Sequence, residues 1–137
     1  MIARSVSRRP GEGGQAAVEL VLVLPVVLLA LLMVVQLGVL VRSQVLVVHA
    51  AREGARAAAI DGGAEAAAAG AARQTPGLEA RRLAVSVRQL GDALPRVGVR
   101  VTYRAPTDVA LIGPLLGDVT LSEEVVMLVE EPTAAPG

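Results

Sequence analysis

Hydrophobic and polar positions divide the chain into three lengths of different period. From Leu20 to Val41 runs an apolar stretch of 22 residues without a charge, and Gln36 is its only strongly polar member. A hydrocarbon layer about 30 Å thick takes roughly 20 apolar residues as helix, so residues 20–41 are predicted to span a membrane. Beyond Arg42 the apolar positions keep a helical spacing as far as Ile60. On a helical wheel Arg42, His49, Arg52, Glu53 and Arg56 gather on one side, and Ser43, Val47, Ala50, Ala51, Gly54 and Ala58 on the other. That is an amphipathic continuation, residues 42–60, whose small-residue stripe suits another helix or a thin sheet. Continuous from Gln15 to Ile60, such a helix would measure about 70 Å at 1.5 Å per residue.

Asp61-Gly62-Gly63 stops this helix, and an Ala-rich segment from Ala64 to Arg73 predicts a short second one, ended by Thr75-Pro76-Gly77. The period then changes to two. Leu83, Val85 and Val87 alternate with polar or small residues, as do Val97, Val99, Val101 and Tyr103, which predicts two half-buried strands joined through Gly91-Asp92 and Pro95. A third alternating run, Val119 to Glu130, carries the adjacent acids Glu123 and Glu124, which suggests a bulge or a change of register. Those acids would face the arginines of the middle strands and fix an antiparallel register, or else form an acidic docking patch. Leu111-Ile112 and Leu115-Leu116, in the connection before this run, are expected to cover one sheet edge, and residues 132–137 to form a disordered tail. The fold class is therefore α+β: a long helix extended out of the bilayer, a short second helix and a small three-stranded antiparallel sheet. Residues 61–131 make the head.

Composition narrows the chemistry. All thirteen basic residues are arginine, thirteen acids balance them, and there is no cysteine. Neutrality argues against nucleic acid, and the missing thiols remove disulfides and thiolate metal sites. His49 is the sole histidine and has no second ligand beside it, so neither a metal nor another cofactor is expected. No nucleophile, base and orienting group can be assembled, which leaves no expectation of enzymatic activity. Tyr103 is the only aromatic residue, so the core must come from Val, Leu, Ile and Ala.

The leader, residues 1–14, carries Arg4, Arg8 and Arg9 and is broken by Pro10, Gly11, Gly13 and Gly14, so helix is not expected there. Basic residues beside a span favour the cytoplasmic side, which puts the N-terminus inside and the C-terminus outside. A secretory signal would have a shorter apolar stretch, with Val48-His49-Ala50 as a weak cut site. Ser7-Arg8-Arg9 begins like a twin-arginine signal, but Pro10-Gly11-Glu12 continues it poorly. The third reading cuts before the apolar run, after Gly14. Glu19 then stands near a helix N-terminus, where the macrodipole favours a carboxylate by roughly 0.3–1 kcal/mol. Pro25, early in the run, withholds a donor from the Val21 carbonyl and predicts a bend.

Gly14, then Gln15-Ala16-Ala17-Val18, then Glu19 and a long apolar helix resembles the leader of type IV pilins and pseudopilins. The stretch Ala51-Arg52-Glu53-Gly54-Ala55-Arg56 narrows the resemblance to TadE-like minor pseudopilins of the tight-adherence (Tad, or Flp pilus) system. Leu20 departs from an aromatic residue common after the acid. The resemblance implies cleavage between Gly14 and Gln15 by a prepilin peptidase. It implies a filament role for Glu19, paired with the new α-amine of an adjacent subunit, and a helix proline at Pro25. The implied partners are the membrane, other pseudopilins, the major Flp pilin, and an inner-membrane platform with its ATPase. The implied setting is the cytoplasmic membrane, single-pass, with incorporation into an extracellular pilus used in adherence or secretion. The alternative is an unprocessed, signal-anchored extracytoplasmic binding module.

Overall fold

The computed structural model describes residues 12–91, 94–107 and 113–129. Its first element, α1 (Glu12–Ile60), is a single helix of 49 residues with Pro25 inside it. It starts three residues before Gln15, so Gly13 and Gly14 are helical, contrary to the expectation for the end of the leader. Two glycines cost about 1 kcal/mol each against alanine, but extending an existing helix needs no new nucleus and gains a hydrogen bond per residue. The other expectations for residues 1–11, for Leu111-Ile112 and for residues 132–137 lie outside the described residues.

The end of α1 is set by glycine geometry. Gly62 and Gly63 have φ of 62° and 87°, and the Gly63 amide donates to the Ala58 carbonyl at 2.6 Å. This is the six-to-one bond of a Schellman ending, open to residues that tolerate positive φ. Helix α2 (Glu65–Arg73) follows with Glu65 in its first turn and Arg73 in its last, each complementing the dipole. Thr75-Pro76-Gly77-Leu78 then turns the chain, with Gly77 at φ 91° and Leu78 N–H donating to Thr75 O at 3.4 Å. Proline followed by a positive-φ glycine is what a type II turn requires.

After a 3₁₀ turn (Ala80–Arg82), strands β1 (Leu83–Leu90), β2 (Arg96–Ala105) and β3 (Val119–Leu128) form an antiparallel meander with β2 central. A four-residue helix, α3 (Gly113–Leu116), precedes β3. The Thr107 hydroxyl donates to the Gly117 carbonyl, tying the two ends of the β2–β3 connection together. The inner sheet face presents Leu83, Val97, Val99, Val101, Tyr103 and Ala105 to the distal half of α1, which contributes Val47, Ala50, Ala51, Ala55, Ala58 and Ala59. Ala68 and Ala72 of α2 complete this core. It is a two-layer packing in which the helices offer almost nothing larger than a methyl group, so backbones must approach closely.

The pairing of β2 with β3 runs unbroken from Arg96↔Leu128 to Ala105↔Val119. There is no bulge at Glu123-Glu124, which corrects that expectation. The acids instead alternate as neighbours on a strand must. Glu124 lies opposite Arg100 on the outer face, and Glu123 lies opposite the buried Val101 on the inner face. Glu123 stays half-buried in line with Leu121 and Val125 because β3 is an edge strand. An inward charge on an edge discourages further strand pairing. With its two acids on opposite faces, this pair makes no acidic docking patch.

Candidate membrane and assembly surface

α1 has two halves with opposite exposure. Val21, Leu22, Val23 and Leu24, which point in four directions around the helix, are each at least 50% exposed. The exposed apolar residues continue through Leu37, Val39 and Val41. A helix apolar on all sides and uncovered by any described residue has no solution in water at low cost, since each exposed large side chain forfeits about 1.5–3 kcal/mol of burial. The helix is long and apolar enough to cross a membrane. A bilayer or a sheath of similar helices would supply the missing apolar surroundings.

At the N-terminal end of this rod, Gln15 Nε2 donates to Glu19 Oε1 at 3.2 Å, one turn apart. Both residues and Gly14 are exposed, and a side chain added at Gly14 would meet nothing within 4 Å. The Glu19 carboxylate thus keeps acceptor capacity beyond its one bond from Gln15. Pro25 sits within the continuous helix, where it leaves the Val21 carbonyl without its usual i+4 donor.

The motif Ala51-Arg52-Glu53-Gly54-Ala55-Arg56 divides cleanly. Ala51, Gly54 and Ala55 are buried, while Arg52, Glu53 and Arg56 are exposed along with His49. A Cβ at Gly54 would stand 3.1 Å from the Ala68 carbonyl oxygen, 3.4 Å from Val99 Cγ1 and 3.6 Å from Ala72 Cβ. Gly54 is therefore where α1, α2 and β2 touch. Its small-residue stripe, legible in the sequence as a packing face, is taken up by the chain's own head. The charged side is left outward, and no described residue forms an ion pair with Arg52, Glu53 or Arg56.

The outer sheet face carries a separate cluster. Glu124 accepts hydrogen bonds from Arg100 Nη2 at 2.5 Å and from Arg88 Nη2 at 3.1 Å, tying all three strands together. Gly98 lies between them on β2, and a Cβ there would come within 3.3 Å of Glu124 Oε1 and 3.1 Å of Leu90 Cδ1. The hydrogen bond from Arg100, followed by the field of both arginines, holds the Glu124 carboxyl below the ordinary glutamate range in spite of partial desolvation. Glu79 is held low in the same direction, first by the hydrogen bond from Arg81 and further by Arg82. These clusters fix register and loop position.

Sequence reading missed one residue of consequence. Gln36, in the second half of the apolar run, is only 1% exposed, and neither of its amide atoms has a hydrogen-bond partner among the described residues. Its signal was its place seven residues before Ser43, on the stripe that leads into Val47 and Ala50.

Comparison with known proteins bears on the same helix. A family model described as TadE-like protein matches residues 14–56. No curated protein and no solved structure matches the chain. The matched length starts at the glycine before Gln15, takes in the exposed apolar rod, and ends on the second arginine of the motif. From Gly14 to Arg56, this chain is similar to the family described as TadE-like protein.

Proposed function

We propose that the protein is a minor pseudopilin: a membrane-anchored structural and assembly subunit of a Tad (Flp) type IV pilus serving adherence or secretion, and not an enzyme. The observation that carries this reading is α1 itself, one helix whose residues 14–31 are covered by no other described part of the chain and whose distal half is the wall of the head. Such a helix transmits position rigidly. Lateral contacts made by residues 20–41 would fix where the head stands relative to its neighbours.

In this reading the span rests in the cytoplasmic membrane with residues 1–14 inside and the head outside. A prepilin peptidase cuts between Gly14 and Gln15, and the rod is kept. Cleavage gives Gln15 an α-amine about one turn from Glu19, and an ionised pair of this kind in apolar surroundings is held far more strongly than in water. Glu19 then pairs with the amine of an adjacent subunit, which sets axial stagger. Other pseudopilins, the major Flp pilin and an ATP-driven platform in the inner membrane are the partners that follow, with Arg52, Glu53 and Arg56 as the outward charged face available to them.

N-terminal sequencing of the membrane-extracted protein tests the proposal. A chain beginning at Gln15 is expected; an intact leader would favour an unprocessed, signal-anchored binding module. A Glu19→Ala variant should insert normally and enter filaments poorly, and undiminished incorporation would remove Glu19 from the assembly step.

A further inference from the structure

The foot of the head carries a half-open cavity of about 280 Å³, lined by Arg42, Ser43 and Leu46 of α1, Gly77 and Glu79 after α2, and Tyr103 of β2. This is near the lower end of volumes that hold small ligands. Arg42 is the first charge after the apolar run, so the cavity opens where the span ends and the head begins. Its polar groups are unevenly committed. Glu79 accepts from Arg81 Nε at 2.7 Å and from Arg82 Nε at 3.3 Å, and the Ser43 hydroxyl donates to the Val39 carbonyl at 3.0 Å. No described residue forms an ion pair with the Arg42 guanidinium, and the Tyr103 ring is buried, with the residue only 3% exposed. The chain's sole aromatic residue is thus placed at the depth where an amphipathic ring suits a membrane boundary.

We propose that this cavity binds the phosphodiester of a phospholipid in the leaflet on the head side. Arg42 supplies the charge contact and Tyr103 forms the wall. The inference rests on the membrane-anchored reading above. A planar guanidinium matches phosphate oxygens in two-point geometry, and the apolar lower wall, with Val39, leads toward acyl chains. A lipid held there would fix the head's height above the membrane before the subunit leaves it.

The test uses the full-length protein with two lipids of equal chain length, phosphatidylglycerol and an uncharged galactolipid without phosphate. Flotation with phosphatidylcholine vesicles comes first, since protein that fails to float overturns the membrane reading and this proposal together. With flotation established, bound lipid is counted by native mass spectrometry from detergent. Wild type should retain phosphatidylglycerol over the galactolipid, and Arg42→Gln should lose affinity about tenfold or more, the worth of one charged hydrogen-bonded contact. Arg52→Gln, exposed and outside the cavity, should retain it fully. Equal retention of both lipids, an unchanged Arg42→Gln, or displacement by millimolar inorganic phosphate as effective as by lipid would each overturn the lipid site while leaving the anchored reading intact.

Discussion

Substitution of Gly54 measures how closely the long helix forms part of the head. An alanine there gains about 1 kcal/mol of helix propensity. Its methyl would stand 3.1 Å from the Ala68 carbonyl oxygen, a backbone atom of α2 that no rotamer change can move aside. The two effects oppose each other, and Gly54→Ala should fall within about 1 kcal/mol of wild type. Valine adds two further carbons against Val99 and Ala72 and gives back part of the propensity gain through its stiff χ1. Overpacking of this kind costs about 1–3 kcal/mol, and the need to push a whole helix away puts Gly54→Val at the upper end. In a domain of 60–100 residues a loss of 2 kcal/mol lowers the melting temperature by roughly 8–16 °C. Tyr103 is the assay, because the only aromatic side chain lies in this core, and its near-ultraviolet dichroism reports the head without interference from the span. A Gly54→Val protein that melts within about 2 °C of wild type would refute the close α1–α2–β2 contact.

Two other perturbations follow from the side-chain clusters. Because the Glu124 carboxyl is held low, the unfolded chain binds more protons than the folded one between the folded value and the ordinary 4.5. Stability from this group is therefore complete above that ordinary value and is lost as the pH falls through the folded one. Acid titration of the melting temperature should show a shallower fall for Glu124→Gln than for wild type, with Glu79 supplying a remaining slope of the same sign; identical curves would remove Glu124 as a determinant. Gln36→Leu should raise resistance to denaturant by about 1–3 kcal/mol, the cost of an unpaired buried amide, at nearly constant volume. A loss of stability instead would mean that Gln36 has a polar partner.

The strands and the buried side of α1 were legible because their cause is local. Val97, Val99, Val101 and Tyr103 alternate with polar residues, and all four lie in the core. The helical period likewise separated Ala50, Ala51 and Gly54 from Arg52 and Arg56. Two features resisted reading because their cause is not local. Adjacent acids look like a break in phase, yet an edge strand accepts Glu123 on its inner face, and only the strand order reveals that β3 is an edge. The burial of Gln36 is a matter of tertiary packing, which no helical wheel contains. The small-residue stripe was ambiguous between a partner's helix and the chain's own sheet. Gly54 against Ala68 and Val99 resolves it in favour of the head.

Cysteine scanning along α1 tests the central claim most directly, since the chain has no native cysteine to confuse the labelling. Single cysteines at Val26, Leu31 and Leu37 in intact cells should resist a membrane-impermeant maleimide, whereas those at Arg52 and Arg56 should react with reagent added from outside. Equal labelling of all five positions, or protection at Arg52 and Arg56 with reaction at Leu31, would contradict a helix that is anchor in one half and head in the other.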